Sequence, residues 1–90
     1  MAQSMSAVSV ATEQGAASNP QANDYLTRAN EELANAKKLV DDGNNERADY
    51  MLMRADADAK LAIEIAKAQK AEVAAQSAQA QAKSVANQAR

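Results

Sequence analysis

A chain of 90 residues can hold one small domain. Its apolar content of 47% is mostly alanine, with two tyrosines and no Phe, Trp, Cys or His. That excludes a thick core and a disulfide framework, and it argues against nucleophilic or acid–base catalysis. A net charge of −2, with basic residues dispersed singly or in pairs, excludes the concentrated basic surface and aromatic platforms that nucleic-acid binding requires.

Residues 1–18 are weakly patterned. Met5, Val8 and Thr12 recur at helical spacing and Gly15 can end a helix, so the segment reads as a short helix or a flexible arm. The opening Met1–Met5 lacks the basic start and apolar core of a signal peptide. The chain is therefore expected to be cytoplasmic, or a mature segment with a new start methionine.

Asn19-Pro20 is a firmer signal. Asparagine suits the N-cap, and proline suits the first helical position, where its missing N–H costs nothing. From there Ala22, Leu26, Ala29, Leu33, Ala36 and Val40 alternate at steps of four and three, the a/d pattern of a packing seam. The first long helix is predicted over about 20–42. At Asp41-Asp42-Gly43-Asn44-Asn45 the helical pattern breaks. Glycine enters the left-handed region at little cost, and asparagine is a preferred N-cap. The turn is placed at 43–45, with Gly43 and Asn45 as its structural residues. A turn this short folds the flanking helices back on each other.

The second long helix is predicted over about 46–90, with no Gly or Pro after the turn. Its seam reads Ala48, Leu52, Ala55, Ala59, Ala62 and Ala66, with Met51 and Ile63 on the borders and Met53 facing outward. Tyr50, Ala57, Leu61, Ile65 and Ala68 form a second apolar face. Two faces imply two neighbours, and the first helix covers one. From about residue 70 the chain is low-complexity alanine and glutamine, with a further stripe through Ala75, Ala78, Ala82 and Val85. Pairing with the first helix is used up near residue 68, which leaves an overhang of roughly 30 Å. An isolated helix of that length is marginal in water. The fold class is thus all-α: an antiparallel helical hairpin with a long, alanine-rich second helix, preceded by a short N-terminal helix and assembling as a coiled-coil-like bundle. Leu26, Ala29, Leu33, Ala36, Val40, Leu52, Ala55, Ala59, Ala62 and Ala66 are assigned to the helix–helix seam. Tyr50, Leu61, Ile65, Ala75, Ala78, Ala82 and Val85 are assigned to contacts between copies.

Candidate chemistry is sparse. Asp41-Asp42-Gly43-Asn44-Asn45-Glu46 offers oxygens without the alternating spacing of a calcium loop, and it reads as a turn. Asp56 and Asp58 lie on different helix faces, and Asp56 pairs with Lys60 one turn on. Ser77 and Ser84 have no activating partner. No catalytic, cofactor or metal residue is assigned, and no apolar run approaches the ~20 residues of a membrane span.

Several elements together resemble a bacterial envelope family of unknown function, a helical domain of lipoproteins that also precedes OmpA-like peptidoglycan-binding domains. They are the alanine-containing helix ending at Gly15-Ala16 and then Pro20, and the run Tyr25-Leu26-x-x-Ala29-x-x-x-Leu33-x-x-Ala36-x-x-Leu39. Gly43 with Ala48 follows, and then Arg54-Ala55-Asp56-Ala57-Asp58-Ala59-Lys60-Leu61-Ala62. The tail from Ala74 to Ala82 is similar in composition to alanine-zipper outer-membrane lipoproteins. The chain has no lipobox cysteine, and Arg90 stands where wall-linked lipoproteins carry lysine. The resemblance implies a periplasmic or outer-membrane-associated location and a structural or interaction role, with an envelope protein as partner. A non-catalytic, self-associating envelope module is the expected function. The alternatives are a cytoplasmic coiled-coil adaptor binding a partner helix, or a helix that folds on a lipid surface.

Overall fold

The computed structural model describes residues 1–89 and is all-α, as the patterning predicts. Three α-helices follow in order among those residues: α1 (Ala2–Glu13), α2 (Pro20–Asp41) and α3 (Asn45–Gln88), with one 3₁₀ turn at Ala16–Ser18 between α1 and α2. The expected continuation of the last helix to Arg90 lies outside the described residues.

The helix ends are set by local chemistry. Gly15 takes φ +81° and stops α1. The Asn19 side chain accepts a hydrogen bond from the Ala22 N–H at 3.0 Å, and Pro20 occupies the first turn of α2. Gly43, at φ +80°, donates to the Val40 carbonyl, and the Asn44 N–H donates to Leu39 at 2.8 Å. That pair of bonds is the Schellman arrangement, which satisfies carbonyls a helix end would otherwise leave bare. The cap of α3 is Asn44, whose side chain accepts from the Arg47 N–H at 3.4 Å. Asn45, assigned to the turn from sequence, is instead the first helical residue, because the cap needs the non-helical backbone that Asn44 has.

α2 runs antiparallel to α3, bringing Asn19 to Gln69 at one end and Glu32 to Arg54 near the middle. α1 runs alongside α3 in the same direction, since two successive reversals return the chain to its first heading. The Ser4 hydroxyl donates to the Leu52 carbonyl at 2.9 Å, and Lys70 donates to the Gln14 side chain at 3.1 Å. Ala11, Ala16, Ala22, Leu26, Ala62 and Ala66 form the core where the three helices meet, with Val8, Tyr25, Ile63 and Ile65 packed around it. Alanine at facing positions lets the helices approach closely, and tight contact stands in for the missing large side chains.

The seam assigned from sequence is buried at Leu26, Ala29, Leu33, Ala36, Ala55, Ala59, Ala62 and Ala66. Leu52 is half-buried on the side that α1 covers. Val40 does not join the seam and is 42% exposed. It sits in the last turn of α2, while α1 begins beside Leu52 and does not reach the hairpin tip. The molecule measures 72 × 19 × 15 Å. Nearly all of the length is α3, whose 44 residues span about 66 Å.

Candidate functional site

Two features stand out once the packing is fixed: a bare length of α3 and a charge cluster inside the hairpin. Every residue from 71 to 89 is exposed. Ala75, Ala78 and Ala82 therefore touch solvent, and Val85 is 64% exposed. The second apolar face of the bundled half is also largely open, with Tyr50 58% and Leu61 46% exposed. Ile65, grouped with them in the sequence reading, is half-buried against the core instead. α1 is not the second neighbour that the two-faced pattern called for. It covers the flank carrying Leu52 and Ile63 and leaves the Tyr50–Leu61 face open. Met51 is half-buried on the seam border, and Met53 faces outward.

The bundle stops where α1 and the 3₁₀ turn end. There a wide hollow of about 400 Å³ opens between Gly15, Ser18, Ala66, Lys70 and Val73. A second open hollow lies at the hairpin tip between Leu39, Arg47, Tyr50 and Met51. Among the described residues, no group of three or more Asp, Glu, His or Cys is placed to hold a metal ion, and no helix is long and apolar enough to cross a membrane.

The charge cluster was not visible as a site in the sequence. Glu32 is only 8% exposed and bonds the Arg54 guanidinium at 2.9 Å across the α2–α3 seam. Each helix contributes one charge of each sign, Arg28 and Glu32 from α2, Arg54 and Asp58 from α3. Both arginines also lie over tyrosine rings, Arg28 over Tyr25 at 5.3 Å and Arg54 over Tyr50 at 5.9 Å. Burial pushes the Glu32 carboxyl up to about 7, and the adjacent Asp58 carboxylate adds to the rise through a hydrogen bond and like charge. The arginines pull the other way and lose, because Arg54 is 55% exposed and solvent screens its charge. Glu32 Oε1 is buried without a partner while the carboxyl is ionised. A proton there makes it a donor, which relieves the unpaired oxygen. Asp56 and Lys60 pair at 2.8 Å one turn apart, as their spacing predicts. The cluster fastens two helices and opens onto no cleft.

No curated protein and no solved structure matches the chain. A family model does match, over residues 1–78, so that it takes in all three packed helices and the first part of the overhang. The chain belongs to the family described as Domain of unknown function (DUF4398).

Proposed function

We propose that this protein is a non-catalytic structural module of the bacterial cell envelope that self-associates through α3. One observation carries the reading: residues 71–88 are helical and exposed on every side. A helix of that length does not hold its shape alone in water, since most helical stability comes from packing of an apolar stripe. Ala71, Ala75, Ala78, Ala82 and Val85 supply such a stripe at alternating steps of four and three. The alanine seam between α2 and α3 is already filled from within, so association falls to the bare part of α3. Glu72 and Lys83 are the only charged residues between 71 and 89, so two such tails meet without net repulsion. The absence of His and Cys from the sequence supports a role without catalysis. The envelope location rests on the resemblance of the helical motifs and of the alanine-rich tail.

Sedimentation equilibrium tests the self-association. The full chain should be oligomeric at tens of micromolar, and the A78E/A82E variant should be monomeric with α1, α2 and the paired part of α3 still folded. A full chain that stays monomeric throughout that range refutes the reading. Fractionation of bacteria expressing the native open reading frame tests the location, and recovery solely in the cytoplasm refutes it.

A further inference from the structure

The overhang is one end of a longer exposed stripe. On the outer face of α3, Tyr50, Ala57, Leu61, Glu64 and Ala68 lie on the side away from α2, and the stripe is completed between Tyr50 and Ala57 by Arg54, whose guanidinium reaches round to Glu32; all six are exposed. Their steps run on into Ala71 without a break in the alternation of three and four. At 100° per residue this stripe lies roughly opposite the seam that α2 covers. The two halves differ in kind. The bundled half carries large side chains, Tyr50 and Leu61, and two charges, Arg54 and Glu64. The overhanging half carries alanine and Val85.

We propose that the outer face of α3 pairs with the same face of a second copy in antiparallel orientation, each tail lying along the other copy's bundled half. This rests on the self-association reading and adds the partner surface and its direction. In that pairing Leu61 faces Ala78, Ala57 faces Ala82, Glu64 faces Ala75 and Ala68 faces Ala71. Large residues meet small ones at every layer but one, where Arg54 faces Val85 and its guanidinium is drawn aside to Glu32, so the two helices keep one separation. A parallel pair does the reverse. It sets Leu61 on Leu61 and Tyr50 on Tyr50 at one end and alanine on alanine at the other, which forces the axes apart at the bundled end. It also sets Glu64 against Glu64, a like-charge contact inside the seam. The lengths agree as well: residues 71–89 and residues 50–68 each span roughly 28 Å. One antiparallel pairing covers both bare surfaces of both copies.

The chain has no native cysteine, so single labels can be placed without background. Spin labels on A57C and, separately, on A82C should each give an inter-copy distance of roughly 38 Å, because both positions are offset by the same rise in an antiparallel pair. Oxidising an equal mixture of the two variants should give the A57C–A82C crosslink in preference to either self-crosslink. A distance below about 15 Å at A57C means parallel pairing and overturns the proposal. A short distance at A82C, with A57C too distant to couple, means that the tails pair only with each other and also overturns it. In both cases self-association stands. A chain that sediments as a monomer removes the self-association reading itself.

Discussion

Glu32→Gln should make the folded chain more stable at pH 8 and change little at pH 4. In the folded protein the Glu32 carboxyl is raised to about 7 from its ordinary 4.5. At about 1.4 kcal/mol for each pH unit of separation, its ionisation costs about 3 kcal/mol more in the fold than in the unfolded chain. Below pH 4.5 the carboxyl is protonated in both states and the cost is absent. Between 4.5 and 7 the folded chain binds more protons than the unfolded one, so stability falls as pH rises. Above 7 the loss is complete. Glutamine keeps the shape of the neutral acid and cannot ionise, so the variant should lack this slope. Its loss of the bond to Arg54 is tolerable because the guanidinium is 55% exposed and stays hydrated. Urea unfolding followed by circular dichroism at pH 4, 6 and 8 reads the difference between wild type and variant. That difference should grow with pH and favour the variant by about 1–3 kcal/mol at pH 8. A wild type that gains on the variant as pH rises would mean that Arg54 outweighs burial. Asp58→Asn checks the second cause, since removing the adjacent carboxylate should move the slope to lower pH.

Ala59→Leu should cost about 1–3 kcal/mol in thermal or urea unfolding, because the residue is fully buried where α2 and α3 touch and the added side chain forces them apart. Gly43→Ala should cost about 1–2 kcal/mol. An added Cβ meets nothing within 4 Å, so the effect is backbone strain at φ +80° alone, and Gly43→Asn should lose less. Asn44→Ala should cost about 0.5–1 kcal/mol through loss of the cap, at the low end because the bond is a long 3.4 Å, whereas Asn45→Ala should be close to neutral. Ser4→Ala should raise amide exchange along α1 with little effect on the α2–α3 pair, since its bond to the Leu52 carbonyl is a main tie of α1 to α3.

The ends of α2 and the start of α3 were legible to within a residue because Asn19-Pro20 and the Gly43 turn carry their own end chemistry, independent of what packs nearby, although the cap of α3 is Asn44 where the sequence pointed to Asn45. α1 was harder to read. The sequence reading followed its larger residues, Met5 and Val8, but Ser4 and Ala11 are the ones buried, and Met5 is 47% exposed. A helix that docks through serine and alanine leaves almost no apolar period to detect. Glu32 was missed for a different reason. On its own helix it is one more charge beside Leu33, and its meaning depends on Arg54 and Asp58, which reach it only after the chain reverses. Val40 shows the opposite error: a continuing period says nothing about whether a neighbour extends far enough to cover it.

Alanine seams pack well but carry little information about register. Sliding α3 along α2 by seven residues would still set alanine against alanine at several layers, yet it would carry Arg54 roughly 10 Å away from Glu32. The buried carboxyl is poor value as a source of stability, being raised to about 7 by its own burial. As a marker of alignment it is effective, because an unpaired charge there costs more than the pair returns. Within one chain the short Gly43 turn already restricts sliding, and Glu32 adds to that restriction. Between copies there is no turn. Leu61, Tyr50, Arg54 and Glu64 are then the main features on the outer face that distinguish one alignment from the next. Replacing Glu64 with alanine should therefore loosen the choice of orientation between copies before it weakens association, and mixed distances from a spin label on A57C would be the sign.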